Sequence, residues 1–115
     1  RLVVDAKRHA AYYTLTREDQ KNFNFIKGDA EGIVNMPLQI KGLRLSISLR
    51  EDTEKPNLVM VSLRSVDDFP CNLMAADFFN GGGHLNASGG KLHCTIEEAV
   101  KVVERAFLAY EDKLK

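Results

Sequence analysis

Apolar and polar positions alternate most clearly from Leu43 to Arg50. Leu43, Leu45, Ile47 and Leu49 fall on one side, and Arg44, Ser46, Ser48 and Arg50 on the other. That period of two is the mark of a half-buried strand. Leu58 to Ser65 repeats it, with Val59, Val61 and Leu63 against Met60, Ser62 and Arg64. Paired as a hairpin, the two strands would bring Arg44, Arg50 and Arg64 together with three serines; the plain reading of that face is a solvated outer surface. Leu2-Val3-Val4 and Ala10 to Leu15 read as two further strands that can form a hairpin, the second rich in bulky and β-branched residues. Lys91 to Cys94 reads as a fifth, with Leu92 and Cys94 inward and His93 outward.

Helical spacing appears elsewhere. Thr16 caps a short helix over Arg17 to Phe23, with Asp19 at the capping-box position. Asp29 caps a second through Asn35, which Met36-Pro37 ends. A third runs from about Cys71 to Phe79, where Met74, Ala75, Phe78 and Phe79 form a core face. Thr95-Ile96-Glu97-Glu98 is a full capping box opening the longest helix, to about Tyr110 or beyond. Ile96, Val100, Val103, Phe107, Tyr110 and Leu114 make its buried stripe. The pattern predicts one α/β domain, a mixed sheet of about five strands flanked by helices.

Composition narrows the function. The 115 residues suit a single domain, and 44% hydrophobic with 28% charged residues is ordinary for a globule. Sixteen basic and 16 acidic residues cancel, so a field able to hold long nucleic acid is not expected, although a local cluster can hold a short anion. Cys71 and Cys94 show no metal-like spacing and read as core thiols, with the cytoplasm as the default compartment. No leader and no run long enough to span a membrane is visible. The chain starts at Arg1 rather than Met, as a piece of a longer protein or a trimmed chain would.

One stretch carries most of the candidate chemistry. Gly81-Gly82-Gly83-His84-Leu85-Asn86-Ala87-Ser88-Gly89-Gly90 holds five of the 8 glycines. Glycine loses the most backbone entropy on folding, so such a run suits close approach of backbone to something else. Read as a loop, it exposes backbone N–H groups to an anion. His84 can donate to a phosphate or accept from a sugar hydroxyl, Arg64 offers a planar fork for phosphate, and Asn86 and Ser88 can complete hydrogen bonds at the rim. The plainer alternative is a flexible loop with Gly81 as helix C-cap and Gly89-Gly90 as a turn. No Gly-Lys-Ser/Thr follows the glycines, and the spacing is wrong for a dinucleotide fingerprint. Histidines 9, 84 and 93 share no ligand spacing, so metal ligation is not expected. The residues point to a binding half, not a complete active site.

Gly81-Gly82-Gly83-His84 followed by Ala87-Ser88-Gly89 resembles the signature loop of the DHHA1 domain, the C-terminal substrate-binding part of DHH-family phosphoesterases. Lys27 to Asn35, Ile40-Lys41-Gly42 and Ser62-Leu63-Arg64-Ser65 are similar to segments of the oligoribonuclease and 3′-phosphoadenosine-5′-phosphate phosphatase branch. The resemblance implies hydrolysis of very short RNA from the 5′ end, or removal of the 3′-phosphate of the adenosine bisphosphate. It also implies manganese in an N-terminal Asp-His-His domain, with substrate in the cleft between domains. Arg64 and the loop around His84, with Gly81, Gly82, Gly83, Asn86, Ser88 and Gly89, would then grip substrate. No Asp-His-His run occurs here, so this chain is expected to hold no cofactor and to be inactive alone. Its expected partners are the N-terminal domain and a short oligonucleotide or phosphorylated nucleotide, with a homodimer left open and no membrane. A single-strand DNA exonuclease, a cyclic-dinucleotide phosphodiesterase, a free-standing nucleotide-binding module and a structural domain are the alternatives.

Overall fold

The computed structural model describes residues 2–22, 38 and 42–115. Within them, six strands form one mixed sheet: β1 (Leu2–Asp5), β2 (Ala10–Leu15), β3 (Leu45–Glu51), β4 (Val59–Ser65), β5 (Gly82–His84) and β6 (Ala87–Leu92). Their spatial order is β1-β2-β3-β4-β6-β5. β2 runs parallel to β3 and every other pairing is antiparallel. A parallel pair needs a crossover, and residues 16–44 connect the two.

The helices are α1 (Arg17–Asn22), α2 (Cys71–Phe78) and α3 (Ile96–Ala109), with one-turn 3₁₀ segments at Ala6–Arg8 and Glu111–Leu114. Both predicted capping boxes are present. Asp19 N–H donates to Thr16 Oγ1 and Thr16 N–H to Asp19 Oδ2; Glu98 N–H donates to Thr95 Oγ1 and Thr95 N–H to Glu98 Oε1. The predicted helix over Asp29 to Asn35 and the end of the first at Phe23 lie outside the described residues.

α2 and α3 cover one face of the sheet. Leu45, Ile47 and Leu49 of β3 and Val59, Val61 and Leu63 of β4 are buried there, with Phe69, Met74, Phe79, Val103 and Phe107. The long-helix stripe holds as read, Val100 being half-buried and the rest buried. Past α3, Leu114 is still fully buried; His9 Nδ1 lies 2.7 Å from its carbonyl, and Arg44 Nη1 donates to the Lys113 and Lys115 carbonyls.

Three expectations change. The glycine stretch is not a loop: it forms β5 and β6, which raises the strand count from about five to six. The strand expected over Lys91 to Cys94 is the end of β6, which stops at Leu92 and leaves Cys94 half-buried against the core edge. The serine side of β3 is not a solvated surface either, since Ser46 is 0% and Ser48 2% exposed. β3 is an interior strand, and in register these short side chains sit between Ala11 and Arg64 and between Tyr13 and Ser62. Ala11 and Leu15 of β2, on the same side, are buried as well, so this face is closed over β2 and β3 and opens only toward β4, β6 and β5.

Candidate functional site

The glycine hairpin starts where α2 stops. Asn80 takes a left-handed φ of 52°, the usual way to end a helix, and its Nδ2 donates to the Lys91 carbonyl. The chain then passes so close to β6 that side chains are excluded. A Cβ on Gly81 would stand 1.9 Å from Gly89 O, and one on Gly90 2.0 Å from Phe79 O. Gly83 has φ 147° and would meet Ala87 O at 2.8 Å. Three of the five glycines are therefore demanded by the protein's own packing.

Leu85 and Asn86 make the two-residue turn, and it is tied down. Cys71 N–H donates to Leu85 O at 2.8 Å and Ser65 N–H to Asn86 O at 3.1 Å. Asn86 Nδ2 donates to Ser65 Oγ at 2.9 Å and to Asp67 O at 3.0 Å. Ser88 is buried, and its hydroxyl donates to His84 O at 2.7 Å. The amide and hydroxyl read from sequence as rim groups thus make bonds within the fold.

Residues directly opposite in a sheet share a face. His84 pairs with Ala87, Ala87 with Arg64, and Arg64 with Ser46, so one row crosses the sheet on the side away from α2 and α3. The next row is Gly82, Gly89, Ser62 and Ser48. His84 and Gly82 are exposed, while Arg64, Ala87, Gly89 and Ser62 are half-buried. Arg64 Nη1 donates to Leu63 O at 2.8 Å and reaches Ser88 O at 3.4 Å, so these two bonds fix one end of the guanidinium against β4 and β6.

Gly82 is the informative glycine. It has no positive φ, and a Cβ there would meet nothing within 4 Å. Gly89 is nearly as free, its closest contact being Val61 O at 3.2 Å. Of the eight residues singled out in the sequence, Arg64, Gly82, His84 and Gly89 come together on one open face, whereas Gly81, Gly83, Asn86 and Ser88 build the hairpin that presents them. The register adds Ser62 and Ala87 as small neighbours; both stand in the motifs that carry the family resemblance, though neither was singled out as a site residue.

Cys71 sits beneath the turn, its backbone N–H bonded to Leu85 O. Burial pushes its thiol up, only partly offset by the Ser65 hydroxyl and the Arg64 charge. Among the described residues no three His, Cys, Asp or Glu side chains converge to hold a metal. No described helix is long and apolar enough to cross a membrane.

The family model for the DHHA1 domain matches residues 8–109. The chain belongs to the DHHA1 domain family. An exopolyphosphatase-related protein from Bacteroides fragilis is 54% identical, with a TM-score of 0.92 over 99% of this chain and 33% of that one. A pGpG-specific phosphodiesterase from Vibrio cholerae shares 15% identity, with a TM-score of 0.62 over 99% of this chain and 36% of its own. An uncharacterised Helicobacter pylori protein shares 22%, with a TM-score of 0.56 over 85% of this chain and 25% of its own. The last two likenesses show the fold. No curated protein matches. This DHHA1 domain spans between a quarter and about a third of the length of these structures, and DHHA1 domains normally sit with an N-terminal DHH domain in the parent protein.

Proposed function

We propose that this DHHA1 domain is the substrate-binding half of a DHH-family phosphoesterase acting on short oligoribonucleotides and on 3′-phosphoadenosine-5′-phosphate. One observation carries the reading: Arg64 and His84 stand in one row beside a floor that includes Gly82, a glycine that nothing among the described residues requires. A floor without side chains lets a flat base or ribose lie against backbone. The Arg64 guanidinium donates two parallel bonds to a phosphate, and the His84 imidazole meets a second phosphate oxygen or a sugar hydroxyl. The domain's share of catalysis is position: it holds the scissile phosphate at a fixed angle toward the companion domain, where the hydrolytic groups are expected. The name of the 54%-identical relative, exopolyphosphatase-related, supports a phosphate-bearing substrate.

The test uses the intact parent enzyme with a 5′-phosphorylated diribonucleotide, its deoxy counterpart, a cyclic dinucleotide and the adenosine bisphosphate. Arg64→Ala and His84→Ala are each expected to lower kcat/KM on the ribonucleotides by roughly ten- to a hundredfold, the size of a lost charged hydrogen bond. Arg64→Lys recovers part of it, since it keeps the charge and loses the fork. The isolated domain is expected to turn over none of the four. Unchanged rates in both alanine variants, or a preference for the deoxy or cyclic substrate, would replace this reading with one of its sister branches.

A further inference from the structure

The open face has a third row. Lys91 pairs with Met60, and Met60 with Arg50, so Lys91 and Arg50 flank Met60 on the side that carries Arg64 and His84. Met60 precedes Arg64 by four residues, about 13–14 Å along β4. Between the two rows lie Gly89 and Ser62, so nothing bulky separates them. β6 and β3 each stand about 4.8 Å from β4, and both long side chains can converge above the Met60 thioether.

Charge is distributed unevenly around this face. The chain as a whole is neutral, with 16 acidic residues. Yet the open-face positions of β3, β4, β5 and β6 hold Arg50, Arg64, Lys91 and His84 and not one carboxylate. Of the arginines elsewhere, Arg8 pairs with Asp5, Arg44 with Asp68, and Arg17 with the Asp52 and Lys55 carbonyls. Among the described residues Arg50 and Lys91 have no such side-chain partner, although Arg50 is half-buried, where an unpaired charge is costly.

Resting on the reading above, we propose that Lys91 and Arg50 form a second anion subsite that receives a terminal phosphate monoester of the substrate, while Arg64 and His84 hold the other phosphate. A terminal monoester carries nearly two negative charges at neutral pH, an internal diester one. Two cations flanking one apolar residue match the first and exceed the second. The ligand chemistry is a small molecule with two phosphates: a 5′-phosphorylated dinucleotide or a nucleoside bisphosphate.

The test compares substrate pairs in the intact parent enzyme. One pair is a diribonucleotide with and without its 5′-phosphate; the other is adenosine 3′,5′-bisphosphate against adenosine 3′-phosphate. In the wild type the two-phosphate member of at least one pair is preferred. Lys91→Gln and Arg50→Gln each lower its kcat/KM by about tenfold, leave the one-phosphate member within about twofold, and leave the melting temperature unchanged. Loss confined to one pair assigns the subsite to that source. A preference that survives the double variant, equal loss on both members, or no preference in the wild type overturns the subsite and leaves the Arg64 site standing. No turnover of any of the four by the wild type removes both.

Discussion

On β4, Val59, Val61 and Leu63 are buried under α2 and α3, while Met60, Ser62 and Arg64, one residue over, are half exposed. The same contrast divides the glycine hairpin. Gly81, Gly83 and Gly90 lie where backbone presses on backbone, and Gly82 and Gly89 lie where the sheet is open. One face is filled to the limit by the protein's own atoms; the other, where it passes over β4, β6 and β5, is kept low and cationic. The difference separates residues kept for folding from residues available to a ligand, which composition alone does not do. The largest expected effect exploits it. Gly90→Ala places a Cβ 2.0 Å from a backbone oxygen that no rotamer change can move, and is expected to cost about 3 kcal/mol, at the upper end for overpacking. Gly82→Ala enters open space and is expected to leave stability unchanged while weakening substrate affinity in the parent enzyme. Denaturant unfolding of both, with KM for the second, checks the pair. Equal destabilisation would mean that the two faces are not distinct at the hairpin.

Asn86 is an intermediate case. Its side-chain amide joins the hairpin turn to Ser65 Oγ and Asp67 O, and Ser65 Oγ in turn donates to Phe69 O at 2.9 Å. Through that chain the open edge is fastened to the core. Asn86→Ala is expected to cost about 1–2 kcal/mol, two hydrogen bonds of ordinary net strength. It should also raise hydrogen exchange at Gly82 to His84 without touching amides of β2 and β3. An Asn86→Ala variant with full stability but no substrate grip would return the amide to the rim role that the sequence suggested.

Much of this was legible before the structure. Period-two alternation located β3 and β4 to within a residue or two, because apolar and polar residues alternate along both strands, although only β4 buries one side alone. The capping boxes at Thr16 and Thr95 placed two helix starts, since that motif uses the same residues in any fold. The glycine run was harder. Strand propensity is low for glycine, so Gly81 to Gly90 read as a loop. Tertiary packing overrode propensity: α2 and β6 approach so closely that only glycine fits between them. The parallel pairing of β2 with β3 was also invisible, because it depends on a crossover rather than on any local pattern. With it went the burial of Ser46 and Ser48. Of the site, the residue types were readable. Their division between open face and hairpin support required the register, since a one-residue step decides which face a side chain joins.

Tyr110 gives the smallest and most selective test, one confined to the core face. Its hydroxyl donates to Asp77 Oδ2, and its ring packs against Phe69 and Phe78. Burial first, then the hydrogen bond to the Asp77 carboxylate and its charge, push the phenol up to about 12. The unfolded value is near 10. A group whose folded value is raised holds its proton longer in the folded state, so its stabilising contribution is complete below about pH 10 and is lost as pH rises towards about 12. Tyr110→Phe is expected to lower stability at neutral pH by about 1 kcal/mol and to flatten the alkaline decline across that window. Urea midpoints at several pH values, for wild type and variant, measure both. Because Tyr110 lies on the opposite side of the sheet from Arg64 and His84, kcat/KM of the parent enzyme at neutral pH should not move. A fall in substrate grip with this variant would show that the two faces are coupled through the sheet, and would blunt every inference drawn from their separation.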